Sequence, residues 1–183
     1  MIPKPRLSLL QVSVLLGVAL FLSACVGGNI RGASSWPGLT SDGSLAFVAF
    51  NEAIYAVDLQ DGDLSWKYPA QTERGRIFYA APAVSADGLV LVGDFLNQIT
   101  ALDAKDGSAV WGPIQLSTPT QRIIGAPTVA GGLVLVPSSD GRLYARYLAD
   151  GMEAWTFPDA ASEPLTHALW SAPVVSEDRV FLA

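Results

Sequence analysis

The stretch Ala101-Leu-Asp103-Ala-Lys-Asp-Gly107-Ser-Ala-Val-Trp111 decides the fold. It reads as a strand ending at Asp103, a tight Asp-Gly turn, and a second strand carrying Trp111. The same string stands upstream as Ala56-Val-Asp58-Leu-Gln-Asp-Gly62-Asp-Leu-Ser-Trp66 and downstream as Ala145-Arg-Tyr147-Leu-Ala-Asp-Gly151-Met-Glu-Ala-Trp155. The tryptophans recur at intervals of 45 and 44 residues, so the chain is an internal repeat.

Working outward from the tryptophans, each unit shows four short strand signals. In the second unit they are 81–84, 89–93, 98–103 and 109–111; in the third, 126–129, 133–136, 142–145 and 153–155. The first unit gives 36–39, 45–48, 53–58 and 64–66, and a fourth begins with 172–175 and 179–182. Asp-Gly pairs separate strands at 42–43, 61–62, 87–88, 106–107, 140–141 and 150–151. Such pairs between apolar runs predict hairpins, with both residues in the positive-φ geometry of a type I′ turn. Four antiparallel strands per unit of this length predict an all-β chain, a β-propeller of four-stranded blades. Runs such as Leu89 to Val92 are continuously apolar, which suits sheets covered on both faces.

The motif has a physical rationale. Its aspartate accepts backbone N–H groups across the turn, its glycine supplies a left-handed residue, and its tryptophan brings a large apolar area to an interface. A calcium loop would need oxygens at alternate positions ahead of its glycine. The residues two and four after Asp58 are Gln60 and Gly62, so that spacing fails.

The pattern Ala-x-Asp-x-x-x-Gly-x-x-x-Trp resembles the repeat of quinoprotein (PQQ-type) β-propellers. Ala56, Asp58, Gly62 and Trp66 match it fully, as do Ala101, Asp103, Gly107 and Trp111. The third copy keeps Ala145, Gly151 and Trp155 but has Tyr147 where the aspartate belongs. The resemblance covers residues 36–183, with units at about 36–69, 79–114 and 124–158 and a partial one at 170–183. It implies that each tryptophan packs between adjacent blades. For the quinone-dependent enzymes of that family it implies a funnel site with calcium, acidic ligands and a pair of adjacent cysteines. This chain has one cysteine, Cys25, and no isolated acid pair outside its Asp-Gly turns, so a bound quinone and a metal are not expected. There is no G-x-S-x-G, no H-E-x-x-H and no glycine-rich phosphate loop. The single histidine, His167, reads as a loop residue, and no catalytic residue is nominated.

Residues 1–24 read as a lipoprotein signal peptide. Lys4 and Arg6 form a positive start, and Leu7 to Leu22 is an apolar stretch of 16 residues, short of the roughly 20 that span a bilayer. It ends Leu22-Ser23-Ala24-Cys25, which resembles the bacterial lipobox and makes Cys25 the acylated N-terminus of the mature chain. Acyl chains would then hold the protein at a membrane face without spanning it. A lone cysteine excludes an internal disulfide and CxxC chemistry. Residues 25–35, rich in Gly and Ser, read as a flexible tether. Without Lys4 and Arg6 the chain holds 9 Lys and Arg against 17 Asp and Glu, a net of −8. Nucleic acid is therefore not an expected partner.

Strands alternate in direction, so each inter-blade linker shares a face with the loop joining the second and third strands of a blade. The linkers 70–79, 115–125 and 158–171 carry Arg74, Arg76, Phe78, Tyr79, Arg122, His167 and Trp170. Arginine and aromatic residues are enriched at interface hot spots. Arg74, Arg76 and Arg122 are expected at the surface, whereas Phe78, Ile124 and Trp170 are expected to pack below the following strand.

Two functions fit. The first is a non-enzymatic, lipid-anchored scaffold that binds other envelope proteins through a propeller face, which resembles the propeller lipoproteins of the outer-membrane β-barrel assembly machinery. In a cell with two membranes, Val26 is not the aspartate that retains lipoproteins at the inner one; in a cell with one, the anchor sits on its outer leaflet. The second is part of a quinoprotein oxidoreductase. Three units and half a fourth do not close a ring, so further blades or a second copy are expected to complete it.

Overall fold

Apolar runs bounded by Asp, Gly and Asn become strands because each run is just long enough to cross a sheet before a turn residue intervenes. The computed structural model describes residues 38–183; the expected signal segment, Cys25, the tether and Trp36 lie outside the described residues. The described residues form three four-stranded antiparallel meanders and one two-stranded sheet, in a propeller-like array. The first sheet is β1 (Gly38–Ser41), β2 (Leu45–Phe50), β3 (Ala53–Asp58) and β4 (Leu64–Tyr68). The second is β5 (Ala83–Val84), β6 (Leu89–Gly93), β7 (Gln98–Asp103) and β8 (Ala109–Gln115). The third is β9 (Thr128–Ala130), β10 (Leu133–Pro137), β11 (Leu143–Tyr147) and β12 (Glu153–Phe157). Then come β13 (Val174–Ser176) and β14 (Arg179–Phe181). The first strands of successive sheets lie side by side, β1 with β5 and β5 with β9.

Alternation along the continuous apolar strands feeds two cores at once. Val90, Val92 and Leu102 of the second sheet pack on Phe47, Ile54 and Trp66 of the first. Their neighbours Leu91, Ile99 and Ala101 pack on Val134, Val136 and Tyr144 of the third. A sheet buried on both faces cannot afford polar residues at alternate positions, which is why these runs are unbroken.

The Asp-Gly turns differ from the type I′ expectation. Among the described residues only Asn51, Asn97 and Glu177 have positive φ besides glycine, so Asp61, Asp106 and Asp150 do not adopt it. Gly62, Gly107 and Gly151 do, at φ 80°, 72° and 72°. The turns are wider than two residues: the Gly62 N–H donates to the Asp58 carbonyl at 3.0 Å, and the Asp58 N–H donates to the Asp63 carbonyl at 2.9 Å. A register shift between Ala56 and Val57 accommodates the extra residues, so one left-handed glycine suffices. Two adjacent left-handed residues do occur at Gly131 and Gly132 (φ 57° and 76°), linking the paired Ala130 and Leu133.

Tyr147 leaves this backbone turn intact. The Gly151 N–H reaches the Tyr147 carbonyl at 2.8 Å, matching the 2.9 Å between Gly107 and Asp103. What differs is a side-chain bond. Asp58 and Asp103 each accept the backbone N–H two residues on, from Gln60 and Lys105, both at 2.7 Å. A phenol ring cannot fold back to do so.

Each motif tryptophan with a full sheet beside it makes the same junction. The Trp66 indole N–H donates to the Ala104 carbonyl at 2.8 Å, and that of Trp111 to the Leu148 carbonyl at 2.9 Å. The rings lie flat against the next unit's turn glycine, where a Cβ on Gly107 would stand 2.6 Å from Trp66. Trp155 departs from the inter-blade packing expected of it and is 38% exposed. Its neighbouring sheet has two strands among the described residues, so it borders an apolar groove with Leu143, Phe157, Val180 and Leu182 instead.

Candidate functional site

The loops that join β2 to β3, β6 to β7 and β10 to β11 share a face with the linkers, because successive strands reverse direction. Backbone bonds stitch the two sets together. The Phe78 N–H donates to the Asn51 carbonyl at 2.7 Å, that of Ile123 to Asp94 at 3.0 Å, and that of Leu169 to Ser138 at 3.2 Å. Phe78, Ile123 and Leu169 thus occupy equivalent inward positions, and all are buried.

That register places the residues next to these three, because orientation alternates along extended chain. Arg122 precedes Ile123 by one and is exposed; Trp170 follows Leu169 by one and is 66% exposed. Trp170 therefore does not pack beneath the next strand as its sequence position had implied, since Leu169 takes that place. Ile124 is half-buried while Ile123 fills the core. Arg76 precedes Phe78 by two, faces the same way, and is only 3% exposed, which corrects its expected surface role. Arg74 and His167 are exposed.

Arg76 is buried because acceptors surround it. Its Nε donates to Asp94 Oδ2 at 3.0 Å, Nη1 to Glu73 Oε1 at 2.9 Å, and Nη2 to Gln98 Oε1 at 2.6 Å. Asp94 is equally enclosed, and its other oxygen accepts the N–H groups of Leu96 at 2.9 Å and Gln98 at 3.0 Å. Burial pushes the Asp94 carboxyl above the ordinary carboxylate range, against the opposing pulls of the Gln98 N–H and the Arg76 guanidinium.

Above this pair lies an aromatic and cationic surface. Tyr79 and Phe95 stack with centroids 5.8 Å apart, and the Arg122 guanidinium lies 5.0 Å from the Phe95 centroid. This is cation–π distance, and the ring holds the guanidinium in place at little cost in exposed donors. Among the described residues neither Arg74 nor Arg122 has a carboxylate partner. The turn acids are committed on the opposite face. N–H groups of Leu45 and Ser44 hold Asp42 below the usual carboxylate range, and the hydroxyl and N–H of Ser108 do so for Asp106.

A second polar seam joins the second and third sheets. Asp140 Oδ2 accepts the Tyr144 hydroxyl at 2.6 Å and the Ser117 hydroxyl at 2.7 Å, and Ser117 Oγ accepts Asn97 Nδ2 at 2.6 Å. The Ser138 hydroxyl closes the seam on Asn97 Oδ1 at 3.0 Å. Burial first, then the Asp140 carboxylate, push the Tyr144 phenol from 10.0 to about 12. A folded value above the unfolded one means that the fold holds this proton. The stabilisation is whole below pH 10 and is lost as pH rises through about 12. Denaturant midpoints of the parent and Tyr144→Phe should therefore converge across that window. A gap that stays constant would mean that Tyr144 titrates normally.

Sequence reasoning missed Asp94, Phe95, Asn97, Asp140 and Tyr144. One signal was available for Asn97: aligning the units places it opposite Gly141, and both are left-handed, at φ 59° and 78°. Among the described residues no three His, Cys, Asp or Glu converge, and Asp94 and Asp140 are each committed to neighbouring side chains, Asp94 to Arg76 and Asp140 to Ser117 and Tyr144.

A family model described as outer membrane protein assembly factor BamB matches residues 50–183. The chain belongs to the BamB family. BamB of Yersinia pestis is 32% identical over 121 residues, 64% of this chain and 29% of its own length. A quinohemoprotein alcohol dehydrogenase of Pseudomonas putida is also 32% identical, over 149 residues, 73% of this chain and 20% of its own. The chain thus spans less than a third of either curated relative. The crystal structure of BamB from Moraxella catarrhalis superposes with a TM-score of 0.63 at 22% identity, over 82% of this chain and 43% of that one. The last match shows the fold. Since a BamB and a dehydrogenase stand at equal identity, the repeat family is settled by homology and the activity is not.

Proposed function

We propose that this BamB-family chain is a non-enzymatic, lipid-anchored scaffold that binds other envelope proteins through its loop face, in the assembly of outer-membrane proteins. The observation that carries this reading is the cationic and aromatic patch of Tyr79, Phe95 and Arg122, with the exposed Arg74 on the same linker as Tyr79, on a chain of net charge −6. Its arginines have no internal carboxylate, so their natural complement is an acidic segment of a partner. Arginine held on an aromatic ring is a common interface anchor. Acylation at Cys25 and export across the inner membrane belong to the same proposal, and they place the patch in the periplasm.

The test is site-specific photo-crosslinking in the cell envelope. A photoreactive residue at position 74 or 122 should capture a component of the outer-membrane assembly machinery, and one at position 61 or 106, on the opposite face, should not. Capture from the opposite face alone would overturn the reading. The second reading, a quinoprotein fragment, is favoured by the equal identity to the dehydrogenase. Saturable binding of the free quinone by the intact chain would support it over the scaffold.

A further inference from the structure

Among the described residues, the stacked aromatic pair of the loop face occurs only beside the second unit, and that unit alone carries a fully buried ion pair beneath it. In the third unit, the places of Arg76 and Asp94 are taken by Gln121 and Ser138, and Ser139 stands where Phe95 does. There the contacts are neutral: Ser139 Oγ donates to Gln121 Oε1 at 2.9 Å and accepts the Arg122 N–H at 2.8 Å. The first unit has a turn of two residues, Asn51 and Glu52, with Phe50 at the place of Asp94 and so no counterpart to that carboxylate.

A fully buried ion pair adds little net stability over neutral side chains, so its presence in one unit calls for a directional reason. The geometry supplies one. The turn 94–97 touches both flanking linkers through its backbone: the Phe95 N–H donates to the Ile77 carbonyl at 2.9 Å, and the Asp94 carbonyl accepts the Ile123 N–H at 3.0 Å. Arg76 locks the first linker to the same turn through Asp94 and Gln98. Asp94 Oδ1 caps the turn on Leu96 and Gln98 and so fixes the backbone that projects Phe95.

We infer that Arg76 and Asp94 are the positioning pair of the loop-face patch: they hold Phe95 between Tyr79 and Arg122 and fix the linkers bearing Arg74 and Arg122 to a single turn. The inference rests on the reading of that face as a protein-binding surface, and it names the groups that pre-form it. Pre-formed anchors bind more tightly because they lose less side-chain freedom on contact.

The test uses the intact chain labelled with ¹⁵N-arginine and ¹⁵N-tryptophan. The Phe95 ring should displace the Arg122 Nε–H resonance upfield, with the signal assigned by its loss in Arg122→Lys. In Arg76→Met that displacement should vanish, while the indole N–H signals of Trp66 and Trp111 stay dispersed and report intact sheet junctions. The double variant Arg76→Gln with Asp94→Ser installs the neutral pair that the third unit already folds with, and it should also lose the displacement. Arg76→Lys, which keeps the charge without the planar fork, should restore it only in part. An Arg122 resonance unmoved in the folded double variant would overturn the inference, whatever the crosslinking result. Conversely, loss of the displacement with undiminished capture at position 122 would support the positioning role and sink the binding reading instead.

Discussion

Gly107→Ala is expected to destabilise the fold by about 2–5 kcal/mol, whereas the equivalent Gly62→Ala costs only about 1–2 kcal/mol. Both glycines occupy the same left-handed position of the same turn, at φ 72° and 80°, so the backbone strain is shared. They differ in what a methyl group would meet. At Gly107 the new Cβ would stand 2.6 Å from two atoms of the Trp66 indole; at Gly62 nothing lies within 4 Å. The indole cannot retreat freely, since its N–H is committed to the Ala104 carbonyl at 2.8 Å and its ring packs near Phe47, 5.7 Å between centroids. The extra cost at Gly107 therefore measures the junction between sheets. Urea unfolding of the two variants and the parent separates the terms by their midpoints. Equal losses would show that the indole moves aside at no cost and that the tryptophan–glycine contact does not set the spacing.

Arg76→Met should cost about 3–5 kcal/mol, because it leaves the Asp94 carboxylate buried without its cation. Asp94 is 1% exposed and already pushed towards its neutral form by burial, so removing the guanidinium takes away one of the few influences that favour its charge. Two consequences follow for the measurement. The loss should shrink in mildly acidic buffer, where Asp94 can take up a proton, and the double variant Arg76→Gln with Asp94→Ser should recover most of the stability at neutral pH. Thermal or denaturant midpoints at the two pH values check both. A loss independent of pH, with no recovery in the double variant, would mean that the arginine contributes through packing of its stem.

The two experiments address different layers. The glycine pair reports how one sheet is seated on the next, a contact that Gly107 makes with Trp66 and Gly151 with Trp111. The arginine reports how one particular turn is held, a property of the second unit alone among the described residues. Function, on the reading given above, belongs to the second layer.

The repeat was legible because its signals are local. A left-handed residue wants glycine, a side-chain oxygen two residues before an N–H wants aspartate, and a strand covered on both sides wants an unbroken apolar run. Those requirements fix Asp58, Gly62, Asp103, Gly107 and Gly151 without reference to anything distant. They also fixed β3, β6 and β7 to the residue, whereas the short strands β5, β9 and β13 begin two residues later than their apolar signals.

The linkers were not legible in the same way. Arg74, Arg76 and Arg122 look alike in the sequence, yet one is buried and two are exposed. What separates them is the register of each linker against the turn beside it, set when Phe78, Ile123 and Leu169 fill equivalent inward positions. A shift of one residue reverses which side chain points in, and no local preference encodes that shift. By itself, then, the sequence determined the blades, their turns and the residues that build them. Only the tertiary structure decided which arginine became part of the core, because burial there depends on acceptors brought from 18 and 22 residues away.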